Sequence, residues 1–167
     1  GRDLDHKDLL KIAGEDIDEW FDGMPDYQDD HHALMGFFMV KMGMHDEAEQ
    51  HLIPALTRLE AQHGRNHYKT QFALITIAKM RNGQGHPRAA DEISAEVEAW
   101  VREKDDWNAM DIEFLIYRLE ILDALTRWQD VVELGEEVLD RLSGVTYHRA
   151  ADGFTQEEIE LRLKGLL

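Results

Sequence analysis

The chain has 167 residues, with 35 Asp and Glu against 18 Lys and Arg, a formal charge of −17 and no cysteine. Such a field repels phosphate backbones and anionic bilayers, which argues against nucleic-acid and membrane partners, and the missing cysteines exclude disulfides and thiolate metal sites. The longest apolar stretch, around Ala33 to Val40, falls far short of the roughly 20 residues of a membrane span.

Leu4, Leu9, Leu10, Ile12, Ala13, Ile17, Trp20 and Phe21 keep helical spacing and predict an opening helix over residues 4–22, with Gly14 weakening its middle. Gly23-Met24-Pro25-Asp26 reads as its stop, and Asp29-Asp30 as the start of the next helix. That helix, over residues 31–42, is apolar nearly all round, as expected of an element covered on more than one side. Gly43-Met44-His45-Asp46 turns the chain into a helix over 46–62 that carries Pro54 in its interior. A proline there removes an amide from the ladder and is best tolerated where solvent reaches the freed carbonyl, so this helix is expected on an outer side. Residues 67–81 form the next inner helix. Asn82 to His86 turn, and Pro87 suits the first turn of a helix running to Glu103. A loop over Lys104–Asn108 precedes a third inner helix on Met110 to Leu125, whose partner runs over 128–142. After a polar stretch, Thr155-Gln156-Glu157-Glu158 fits a capping box and opens a last short helix.

A small-residue signature recurs through these elements: Gly43 with Ala48, Gly85 with Ala90, and Thr126 with Val131, at steps of 42 and 41 residues. Each mark sits between an apolar helix and an amphipathic one, the grammar of stacked helix-pair repeats. With Gly36 on the first helix and Ala55 on the second, the first unit resembles a tetratricopeptide repeat of the long, roughly 42-residue form. Ala78, Gly85, Ala90 and Val97 occupy the same places in the second unit, where Ser94 and Arg81 depart from the pattern. The third keeps Trp128 and Val131 but has Thr126 for the glycine and Leu119 for the close-packing small residue. Counting one step back from Ala55 lands on Ala13, which makes the opening helix the second half of an earlier unit. The start, Gly1-Arg2-Asp3, lacks a Met and an apolar leader core and reads as an added remnant or the cut end of a longer chain.

The resemblance implies an all-α protein, a right-handed solenoid of antiparallel helix pairs. Residues 1–28 form the opening helix, 29–145 three pairs, and 146–167 a polar loop and closing helix. It also implies a scaffold that binds a peptide or protein segment, basic where charge complements its own, on the concave wall made by the first helices. That wall would be lined by Phe37, Val40 and Lys41, then Ile75, Lys79 and Asn82, then Ile116, Glu120 and Asp123. Lys41, Lys79 and Asn82 resemble part of the set with which some members of the family grip a chaperone carboxylate tail. Glu120 and Asp123 would repel that ligand.

No nucleophile elbow, phosphate loop or cysteine nucleophile is present, so no catalytic residue, cofactor or metal is expected, and a cytoplasmic location is. The competing reading is a metal-dependent hydrolase of the helical His/Asp type, using His31, His32, His45 and Asp46. A third is an oligomerisation segment resting on Trp100 and Trp107. Nine histidines make the charge sensitive to mild acid, through which a pH-sensing role would act. Of the methionines, Met35 and Met39 are expected in the core.

Overall fold

The computed structural model describes residues 5–142 and residue 165. The described residues are helical, with no strand among them: α1 (His6–Glu15), α2 (Ile17–Trp20), α3 (Pro25–Lys41), α4 (His45–His63), α5 (Tyr68–Gly83), α6 (Pro87–Arg102), α7 (Ala109–Ala124) and α8 (Trp128–Leu142). The chain divides into two compact units, Gly1–Ala90 and Asp91–Leu167. The closing helix expected after Thr155 lies outside the described residues.

In the first unit, α1 starts in a capping box in which the Asp5 carboxylate accepts from the amides of Lys7 and Asp8, while the Asp8 side chain reaches back to the Asp5 amide. The single opening helix expected over 4–22 is two, interrupted at Asp16. α3 begins six residues earlier than its pattern suggested. Pro25 stands in its first turn, where a missing amide costs nothing, so the proline starts the helix instead of closing the segment before it. α3 packs on α4, α4 on α5, and α3 on α5, with α1 and α2 against α3. Gly36 permits a close approach of α4: a Cβ there would meet Leu52 Cδ2 at 2.6 Å, so no side chain can be added unless Leu52 moves. Leu52, Ala55, Leu59, Ala73, Ile75 and Met80 are sealed in this core. Pro54 is exposed, on the wet side of α4 as expected.

In the second unit, α7 carries Ile112, Leu115, Leu119 and Ile121 into the interior, and α8 adds Val131, Leu134 and Val138. Arg118 of α7, 4 % exposed, ion-pairs with Asp91 and Glu98 of α6 and donates to Ser94 Oγ at 3.0 Å. These partners supply the hydrogen bonds that make burying a guanidinium tolerable. Arg102 of α6 reaches Glu137 of α8 at 2.6 Å.

Three turns share one backbone pattern. After α3, the amide of Gly43 donates to Val40 O at 3.0 Å and that of Met44 to Met39 O at 2.8 Å. After α5 the matching bonds run from Gly85 to Asn82 and from His86 to Arg81. After α7 they run from Thr126 to Asp123 and from Arg127 to Leu122. The six-residue bond marks a Schellman-type helix end, whose first residue beyond the cap takes a left-handed conformation. Gly43, Gly85 and Thr126 accordingly have φ of 73°, 81° and 57°, and Thr126 is the one non-glycine among the described residues with a positive φ. The next helix opens in register, with Ala48, Ala90 and Val131 making its first backbone bond and each buried.

Candidate functional site

The face expected to meet a partner divides by burial. Phe37, Val40, Ile75 and Ile116 are each at most 4 % exposed. Lys41 is exposed, and Lys79, Asn82, Glu120 and Asp123 are half-buried. The Lys41 ammonium stands over the Phe37 ring, 4.6 Å from its centre, so the cation covers the aromatic instead of leaving it to solvent. Phe37 also meets the Phe72 ring of α5, with centroids 5.4 Å apart.

What α3 leaves open lies one residue away. Leu34, Phe38 and Met42 are 42 %, 40 % and 40 % exposed, and Tyr27 more so. Their spacing of four residues places Leu34, Phe38 and Met42 on one side of the helix, with Tyr27 two turns before Leu34. Phe21, at the end of α2, stacks on His31 in the same stretch, with ring centroids 3.9 Å apart. Met39 and Met44 are buried, whereas Met42 faces solvent.

Of the residues in the metal-hydrolase reading, His31, His32 and Asp46 have hydrogen-bond partners within the protein, whereas His45 Nδ1 is buried without one among the described residues. His31 Nδ1 lies 2.6 Å from Tyr27 O. The His45 ring lies against Gly83, whose missing side chain makes room for it. His32, mostly buried, sits between Asp18 and His51. Asp29 and Asp30, expected to start a helix, lie inside α3 and bind neighbouring helices: Asp29 takes Arg58 and Gln62 of α4, and Asp30 takes Lys69 of α5 at 2.6 Å. That carboxylate holds the Lys69 ammonium above the usual lysine range. Among the described residues no three His, Asp or Glu side chains come together in a way that could hold a metal ion.

A polar cleft of about 450 Å³ opens where α4 begins beside the end of α5, lined by residues that include His45, Asp46, Glu49, Arg81, Gln84 and His86. Its charges are mutually engaged. Arg81 binds Glu49 at 2.6 Å and Gln84 at 2.9 Å, and Gln84 donates on to Glu49 and Asp46. Bonds from Arg81 and then Gln84 hold the Glu49 carboxyl below its ordinary value. This network closes the corner between the two helices.

Trp107 is 7 % exposed beneath the Arg141 guanidinium, and Lys104 covers the Trp100 ring at 3.4 Å while bonding Asp111. No helix among the described residues is long and apolar enough to cross a membrane.

No family model, curated protein or solved structure matches this chain. The functional reading therefore rests on its own residues.

Proposed function

We propose that this chain is a protein-interaction module built from helix-pair repeats of the tetratricopeptide type, and that it receives an amphipathic helical or extended segment of its partner on α3. The observation that carries the reading is the exposed stripe of Leu34, Phe38 and Met42. An apolar side chain standing alone in water is ordinary, but a run at one-turn intervals along a helix is the pattern used when a helix lies in a groove.

The repeat register supports the choice of face. One step of 42 residues carries Leu34 to Thr76 and Phe38 to Met80, both buried on α5. Phe72, a turn before Thr76, packs on Phe37 of α3. In a stack of antiparallel pairs this side of each first helix meets the pair before it. On α3 the corresponding Leu34 and Phe38 stay exposed although α1 and α2 also pack on this helix, which leaves a place where an added helix would continue the packing. The chain's excess of acid favours a basic segment.

Site-specific photo-crosslinking tests the assignment. A photoreactive phenylalanine at Phe38 should capture a partner in host lysate, while the same group at Ile53, exposed on α4, should not. Equal capture at both positions, or none at Phe38, would overturn it.

A further inference from the structure

α1 and α2 are fastened to the α3–α4 pair through two histidines. His32 Nε2 on α3 lies 2.9 Å from Asp18 Oδ1 of α2, and His32 Nδ1 lies 2.9 Å from His51 Nδ1 of α4. The two rings are stacked at 5.2 Å. On the side of α1, a Cβ at Gly14 would fall 2.8 Å from His51 Nε2, so the α1 backbone is seated directly on that ring. The contact between facing Nδ1 atoms needs one hydrogen, no more. With both rings neutral, His32 donates from Nε2 to Asp18 and accepts at Nδ1 from the His51 Nδ1–H. One added proton makes His32 a donor on both sides while His51 accepts. A second would set two N–H groups against each other at hydrogen-bond distance.

We propose that Asp18, His32 and His51 form an acid-released latch: the pair holds one added proton, and uptake of the second expels the His51 ring and frees α1 and α2 from α3 and α4. The charged groups around the latch are consistent with this order. α2 presents Asp18, whose carboxyl is held below its ordinary value by the bonds from His32 and Gln28. α3 presents His32. On α4 itself, Arg58 acts on Asp18, and Glu47, a turn before His51, is taken by Lys11 of α1 at 2.9 Å. On α5, which also packs against α4, Arg81 is turned to Glu49. Only Asp18 favours a charged His51, and it is outweighed by burial and by the His32 charge, so the His51 imidazole protonates less readily than an ordinary histidine. A histidine whose folded value is depressed contributes stability above its ordinary value near 6.5, and that contribution is lost as pH falls. Asp18 acts in the other window, below the ordinary carboxylate value, so release that begins below about pH 6.5 belongs to the histidines.

Amide hydrogen exchange on the whole chain reads the latch. Exchange-rate-corrected protection of α1 and α2 amides should fall by up to about tenfold for each pH unit below the ordinary histidine value near 6.5, the limit for one proton, while α5 amides stay protected. In His51→Gln that fall should vanish. Unchanged protection of α1 and α2 down to pH 5, or the same fall in His51→Gln, would overturn the latch. Should that variant fail to fold, titration of the ring resonances in the unmodified protein decides. One ring of the pair staying neutral until α1 and α2 are released supports it, and two independent titrations near the ordinary value contradict it.

Discussion

Thr126 holds a left-handed backbone with a β-branched side chain, the combination that costs a residue most. It does so because the turn after α7 closes with the same two amide bonds as the turns at Gly43 and Gly85. Thr126→Gly should therefore stabilise the second unit by about 1 kcal/mol, the relief of strain exceeding the entropy a glycine adds to the unfolded chain. A rise of a few degrees in its thermal midpoint is the expected reading, and a fall would mean that the threonine methyl or hydroxyl supplies more than the strain removes. Gly36 poses the opposite case. Its hydrogen is all that fits beside Leu52, so Gly36→Ala should destabilise the first unit by roughly 2 kcal/mol in urea unfolding, through displacement of a fully buried leucine.

Between elements, polar side chains do much of the fastening. Arg118 crosses from α7 to α6 with almost no exposure, and Arg118→Met should cost roughly 3 kcal/mol of stability by leaving Asp91 and Glu98 without the guanidinium between them. Urea unfolding of the variant checks this, and a loss under 1 kcal/mol would show that Arg127, which also reaches Asp91, suffices. The helices from α4 to α8 were legible in the sequence because their apolar residues keep a helical period between the breaks at Gly43, Gly64, Gly85, Lys104–Asn108 and Thr126. The start of α3 was not. Pro25 after Gly23 reads as punctuation, yet a proline ends one element and opens the next with equal ease, and only packing against α4 and α5 selects the second. Asp29 and Asp30 point in the same direction: adjacent carboxylates suggest a helix start, whereas here each faces a cation on another helix.

At the scale of the whole molecule, the recurring marks at Gly43, Gly85 and Thr126 were visible in the sequence, and all three fall on the same left-handed turn position. Which face of α3 points outward was not. The helix is apolar nearly all round, so its pattern carries no direction: the family geometry points to Phe37 and Val40, whereas the structure exposes Leu34 and Phe38. Gly36 against Leu52 and Phe37 against Phe72 fix the inward sides, and neither contact can be read from spacing within α3 alone. The proposed role in protein recognition depends on that outward face. The deciding measurement is affinity capture from host lysate, read by mass spectrometry, with the parent chain beside a Leu34→Ser, Phe38→Ser, Met42→Ser variant whose helix content and unfolding transition match the parent. A set of proteins retained by the parent and lost from the variant is the predicted result. Retention of the same proteins by both would contradict the assignment of α3 as the recognition face.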